Sequence, residues 1–149
     1  DPAYHVTGVK FSPDGKYLLY TEADYGTFPI WHHEADLKMM DLQTKENLNV
    51  DILNSSSVER YHSWSSNGRW IVFSSRRIDG LYTRLYLAYF DEKGNFHKPF
   101  LLPQSSADFD LLRMQSYNSP EFTKGATKIS SREIEKLLKG GTSPSKLRK

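Results

Sequence analysis

A ten-residue segment occurs twice in this chain, and that recurrence limits the possible folds more than any single residue does. Phe11-Ser12-Pro13-Asp14-Gly15-Lys16-Tyr17-Leu18-Leu19-Tyr20 returns 53 positions later as Trp64-Ser65-Ser66-Asn67-Gly68-Arg69-Trp70-Ile71-Val72-Phe73. Both copies run aromatic, serine, a turn ending in glycine, a cation, then an aromatic and three apolar or aromatic residues. One repeat cannot bury its apolar faces alone, so repeated units must stack on neighbours.

Each copy sits in a longer pattern. In the first unit Val9 to Phe11 reads as a strand, Ser12 to Gly15 as a turn with proline and Asp-Gly chemistry, and Lys16 to Thr21 as a second strand. A long polar and aromatic loop, Glu22 to Glu34, leads to a third strand over Ala35 to Leu42, and Asn49 to Leu53 reads as a fourth. The second unit repeats the plan with strands at Tyr61–Trp64, Arg69–Ser75, Arg84–Phe90 and Phe96–Leu102. Leu85 aligns with Leu37 at a shorter offset, so the first unit's long loop is about five residues longer, as insertions in loops should be. The expectation is an all-β fold: two consecutive four-stranded antiparallel blades of a β-propeller, about 4–53 and 57–103. A C-terminal extension over 104–149 follows. It has a possible short helix over 107–117, a helix near 130–139 marked by the capping-box spacing of Ser130 and Glu133, and a disordered end from Gly140.

Composition excludes several functions. The formal charge is only +2, from 20 basic and 18 acidic residues, so no field for nucleic acid exists. There is no cysteine, which removes disulfides, thiolate catalysis and cysteine metal sites. No apolar run reaches the roughly 20 residues needed to span a bilayer. No signal peptide is visible. The chain opens at Asp1-Pro2 without an initiator methionine and reads as a fragment.

The repeated residues resemble the TolB-like, WD-related propeller repeat, over roughly residues 4–103. Phe11 to Tyr20 matches closely. Trp64 to Phe73 matches with Ser66-Asn67 in place of Pro-Asp. The second unit, with Tyr61-His62-Ser63-Trp64-Ser65-Ser66-Asn67-Gly68-Arg69-Trp70, is similar to periplasmic proteins of this type from Bacteroides-like bacteria. The resemblance implies six or seven blades, a periplasmic or cell-envelope location, and service as a docking platform for a protein or peptide. It also admits an accessory role, gating a hydrolase such as a peptidase whose catalytic domain is not in this chain. Two blades cannot close a ring, so the others lie elsewhere.

Blade topology sorts the side chains that could carry chemistry. His32, His33, Glu34, Glu59, Arg60, His62, Arg76, Arg77 and Asp79 belong to the end carrying the Glu22–Glu34 and Arg76–Thr83 loops. Trp31-His32-His33-Glu34 with His62 offers zinc-type ligands, but adjacent histidines in extended chain point to opposite sides and no regular ligand spacing supports a site. His62, beside a core aromatic, is expected to bond a neighbouring blade. Arg76-Arg77 with Asp79 reads as an arginine–aspartate pair bracing its loop, with anion binding as the alternative. No nucleophile elbow, calcium loop or phosphate-cradling glycine loop is present. The expectation is therefore a non-enzymatic interaction scaffold without cofactor or metal. Unpaired blade faces, with Trp64, Trp70, Phe73, Leu85, Leu87, Phe11, Tyr17 and Leu19 as candidates, should either self-associate or be covered by the tail through Phe109, Leu112, Ile134 and Leu138.

Overall fold

The two copies of the repeated segment make the same turn with the same hydrogen bonds. The Ser12 hydroxyl donates to Asp14 Oδ1 at 2.6 Å, the Lys16 N–H donates to that oxygen at 3.2 Å, and Ser12 Oγ accepts from the Tyr17 N–H at 3.0 Å. Ser65, Asn67, Arg69 and Trp70 repeat these bonds at 2.7, 3.1 and 3.0 Å. Only the Oδ1 acceptor is used, so asparagine replaces aspartate without changing the turn. Gly15 and Gly68 close the turns at φ +72° and +67°, where a Cβ is strained. Gly68→Val is expected to destabilise by about 1–3 kcal/mol. Thr44→Ala, which removes one exposed 3.3 Å acceptor from the Glu46 N–H, should cost well under 1 kcal/mol. Equal urea midpoints for the two variants would contradict this account.

The computed structural model describes residues 4–26, 28–106, 108–126 and 128–140. The fold is mostly β. Strands β1 (His5–Phe11), β2 (Tyr17–Ala23), β3 (Asp36–Asp41) and β4 (Asn47–Leu48) form one antiparallel meander. A second is formed by β5 (Glu59–Trp64), β6 (Trp70–Ser75), β7 (Arg84–Tyr89) and β8 (Phe100–Leu101). Two helices follow, α1 (Phe109–Leu112) and α2 (Ser131–Lys139). Among the described residues no helix is long and apolar enough to cross a membrane.

Side chains alternate across each strand, so each sheet has one face toward the other. Leu19, Leu37 and Met39 of the first sheet meet Ile71, Phe73, Tyr86 and Ala88 of the second in one buried cluster, closed by Val50, Leu53, Phe90 and Phe96. Tyr17 and Trp64 both stand edge-on to Phe90, with ring centroids 5.2 and 5.4 Å apart. Each large side chain buried here stabilises by roughly 1.5–3 kcal/mol. Trp64 and Phe73 therefore lie between the sheets, not on outward faces as expected, and so do Tyr17 and Leu19. Phe73 follows the inward phase set by Ile71, while Val72 and Ser74 take the far side. Phe11, the repeat counterpart of Trp64, is 64% exposed.

The fourth strands are shorter than the sequence suggests. After β4 the Asn49 side chain accepts from the Asp51 N–H at 2.9 Å, starting a 3-10 turn over Asp51–Leu53 that tucks Leu53 into the core. Asn54 then turns its carboxamide on Leu37: Oδ1 accepts from the Leu37 N–H at 2.9 Å and Nδ2 donates to the Leu37 carbonyl at 3.0 Å. In the second sheet Phe96 makes only an isolated bridge to Phe90, and Pro99, without an N–H, stands just before β8.

Both first strands carry a bulge at the same repeat position. Register shifts between Thr7 and Lys10 and between Arg60 and Ser63. The left-handed residue is Gly8 in one, at φ +62°, and Tyr61 in the other, at φ +53°.

The tail does not cover an apolar face. Leu112 is 80% and Leu138 81% exposed, and Ile134 also faces solvent. Residues 110–117 are held by polar bonds instead, described below. Helix α2 starts with a complete capping box: the Glu133 N–H donates to Ser130 Oγ, and the Ser130 N–H donates to Glu133 Oε2 at 2.7 Å. Beyond Gly140, the expected disordered end lies outside the described residues.

Candidate functional site

The segments leaving β2 and β6 emerge at the same end of the two sheets and meet. The Arg76 guanidinium lies 4.7 Å from the centroid of the Trp31 ring, a cation–π contact between the two loops. Trp31 is 69% exposed, and Tyr25, Phe28 and Leu81 are similarly open. His33 is exposed beside them. His32 is instead buried, with its ring centroid 3.8 Å from that of Tyr25 and its Nδ1 2.7 Å from Glu34 Oε1. The Glu34 carboxyl is held below its ordinary value, first by its own backbone N–H and further by His32.

Beneath the loops lies a buried ionic knot. The Glu59 side chain is fully buried. Its Oε1 accepts from the Ser55 hydroxyl at 2.7 Å, the Ser75 hydroxyl at 2.7 Å and Arg77 Nη2 at 3.1 Å, and its Oε2 accepts from the Ser55 N–H at 3.0 Å. Arg77 Nη2 also donates to the Leu53 carbonyl, and the guanidinium sits 4.5 Å from the Tyr86 ring centroid. The carboxylate thus has donors on both oxygens, the condition under which a buried charge is tolerated. Arg77 is paired with Glu59, and not with Asp79 as the local spacing suggests.

Asp79 serves another arginine. Burial alone would raise its pKa, but the Tyr82 and Leu81 N–H groups, followed by the charge of Arg84, outweigh that and hold it down. Arg84 Nη2 stands 3.4 Å from Asp79 Oδ2. The Arg84 side chain is 1% exposed and binds three carbonyls of the tail: Asp110 through Nε at 2.8 Å, Gln115 through Nη1 at 3.1 Å and Arg113 through Nη2 at 3.0 Å. The Tyr117 carbonyl accepts from the Ser74 hydroxyl at 3.2 Å and from the Thr83 hydroxyl.

His62 belongs to a different place. It sits in the bulge of β5, and its Nε2 lies 3.0 Å from the Leu19 carbonyl of β2 in the other sheet. Burial pushes its pKa down to about 4, so at neutral pH the ring is uncharged and Nε2–H is the donor. Arg60, next to it, lays its guanidinium 3.7 Å from the Tyr61 centroid and is lowered by burial.

The nine residues thus sort into four settings. His33 and Arg76 line the exposed loop surface with Trp31, and Glu34 pins His32 beneath it. Glu59 and Arg77 form the buried knot. Asp79 braces Arg84. Arg60 and His62 occupy the bulge. Among the described residues, no group of three or more histidine, cysteine or carboxylate side chains is placed to hold a metal ion. Sequence reasoning missed Arg84 as an anchor for the tail. The available signal was a charged residue at the inward phase that Tyr86 and Ala88 continue along β7. Comparison with family models finds no match, and comparison with curated proteins finds none either.

Proposed function

We propose that the two sheets are consecutive blades of a TolB-like propeller and that the chain is a non-enzymatic docking module of the cell envelope, binding a protein or peptide on its loop end. The observation that carries this reading is the Trp31–Arg76 contact, which joins the two loops into one surface with Tyr25, Phe28 and Leu81 open around it. Aromatic and arginine side chains on a rigid sheet scaffold are the usual anchors of protein recognition. The matching turns and bulges, 53 positions apart, and the face-to-face packing of the sheets support the blade reading. The deeper charged groups, Glu59, Arg77 and Arg84, are engaged by protein partners and serve to hold the loops.

Photo-crosslinking tests the surface. A benzophenone side chain at Trp31 or Leu81 is expected to capture a discrete partner in cells of the source organism, and Trp31→Ala with Arg76→Ala is expected to weaken binding of that partner by tenfold or more, about 1.4 kcal/mol. Capture of the same partner with equal yield from position 44, at the other end of the sheets, would reject the loop surface. Peptidase or glycosidase turnover by the purified chain, abolished by a single substitution in it, would reject the non-enzymatic reading.

A further inference from the structure

The tail carries a third copy of an arrangement that the two first strands share. Each first strand has one left-handed residue three positions before an aromatic: Gly8 before Phe11 at φ +62°, and Tyr61 before Trp64 at φ +53°. Ser119 stands at φ +40°, three positions before Phe122. Two residues before Tyr61, the Glu59 N–H donates at 2.8 Å to the carbonyl of Ala35, just ahead of β3. Two residues before Ser119, the Tyr117 N–H donates at 3.1 Å to the carbonyl of Thr83, just ahead of β7. Pro120 then falls at the bulge position, where the β5 ladder is interrupted between Arg60 and Ser63. Proline is tolerated at a bulge because no ladder N–H is needed there. Tyr117 to Phe122 therefore follow the second sheet in the way that β5 follows the first.

Among the described residues no second strand pairs with this segment. β2 and β6 start six residues after Phe11 and Trp64. After Phe122 the chain instead enters α2 at Ser131, in the middle of the corresponding stretch. The peptide groups of residues 118–122 make no hydrogen bond among the described residues, and Asn118, Ser119, Glu121 and Phe122 are exposed. The neighbouring sheet face is incomplete in the same way. Leu19, Leu37 and Met39 are fully buried where the second sheet stands on them. Their repeat counterparts Val72, Leu85 and Leu87 point to the far side of the second sheet. There Leu85 and Leu87 are only half-buried, and Phe100, paired with Leu87, is exposed. An extended segment entering at this margin meets free peptide groups along its length and an apolar stripe beneath.

We propose that residues 118–122 are a strand-acceptor site, which takes up an extended, antiparallel segment of another protein with aliphatic or aromatic side chains at alternate positions. The chemistry of the occupant follows from the interface already formed between the sheets. β6 stands on Leu19, Leu37 and Met39 through Ile71 and Phe73, two residues apart, and the occupant stands on Leu85 and Leu87 in the same way. Backbone bonds to residues 118–122 supply the affinity, and the leucine stripe selects the alternation. The site rests on the stacked-blade reading and does not depend on the loop surface around Trp31.

The test is a titration of the ¹⁵N-labelled full chain with a capped peptide of the sequence Lys16 to Ala23, which carries the β2 pattern. The backbone amides of Asn118, Glu121 and Phe122 are expected to shift, with a Kd on the order of 0.1–1 mM. At saturation their exchange with solvent should slow by about tenfold. The same peptide with proline in place of Leu18 and Tyr20 lacks two ladder donors and should bind at least about tenfold more weakly. That comparison needs no variant of the chain. Leu87→Lys, which charges the stripe and leaves the edge intact, is expected to weaken binding about tenfold. No shift up to roughly 2 mM peptide, equal binding of the proline peptide, or unchanged binding in the folded Leu87→Lys protein would overturn the proposal. Shifts confined to Tyr25, Trp31 and Leu81 would reject this site and leave the loop surface standing. Broadening of the residue 118–122 amides with chain concentration alone would make a second copy the occupant and overturn the assignment to a foreign segment.

Discussion

Glu59→Ala is expected to destabilise the chain by about 3–5 kcal/mol, among the largest effects of any single substitution in it. The carboxylate is fully buried and accepts four hydrogen bonds, from Ser55, Ser75 and Arg77. Its removal leaves the Arg77 guanidinium without its counter-charge and three further donors without an acceptor. The pair as a whole need not stabilise relative to an apolar replacement, because two charges have been taken out of water. Glu59→Leu combined with Arg77→Met is therefore expected to recover much of the loss in Glu59→Ala. Urea unfolding of the three proteins measures this directly. A Glu59→Ala midpoint within experimental error of the parent would mean the knot is not formed as described.

Arg84→Met is expected to release the tail. Methionine keeps most of the apolar stem but supplies no donor, so the carbonyls of Asp110, Arg113 and Gln115 lose their shared partner. The expected cost is about 2–4 kcal/mol. The sharper readout is local: limited proteolysis between residues 108 and 117 should accelerate by about tenfold or more, because opening of that segment no longer breaks a buried contact. Arg84→Lys should rescue little, since one ammonium cannot reproduce the planar fork that spans three carbonyls. Cleavage at the parental rate in Arg84→Met would show that Ser74 and Thr83, through Tyr117, suffice to hold the segment.

Much of the β architecture was legible because its determinants are local. Ser-Pro-Asp-Gly and Ser-Ser-Asn-Gly specify the same turn through side-chain bonds between residues two and five apart, and alternation in β3 and β7 gives the inward phase. The fourth strands were misjudged because apolar content alone does not distinguish a strand from a 3-10 turn that buries Val50 and Leu53. Expected strand–loop topology placed all nine candidate side chains at one end, but it could not pair them. Glu59 finds Arg77 across 18 residues, and Arg84 finds carbonyls 26 to 31 residues away. Backbone carbonyls carry no sequence signature, so only the inward phase of Arg84 along β7 distinguishes it from a surface cation, and nothing in the sequence names its partners. The tail was misread for a related reason: Leu112, Ile134 and Leu138 suggested an apolar lid, yet all three are exposed, while the attachment is polar.

The Asn54 carboxamide has a consequence beyond its two bonds. A strand at the margin of a sheet offers its free peptide groups to any extended segment that drifts by, which is how native sheets recruit foreign chains into aggregates. β4 stops at Leu48 and leaves the upstream part of β3 open at that margin. Asn54 presents one acceptor and one donor in the spacing of a peptide unit and occupies both groups of Leu37, where the next incoming strand would have to register. One side chain thus acts as a plug against templated assembly at a place where the chain itself has run out of strand.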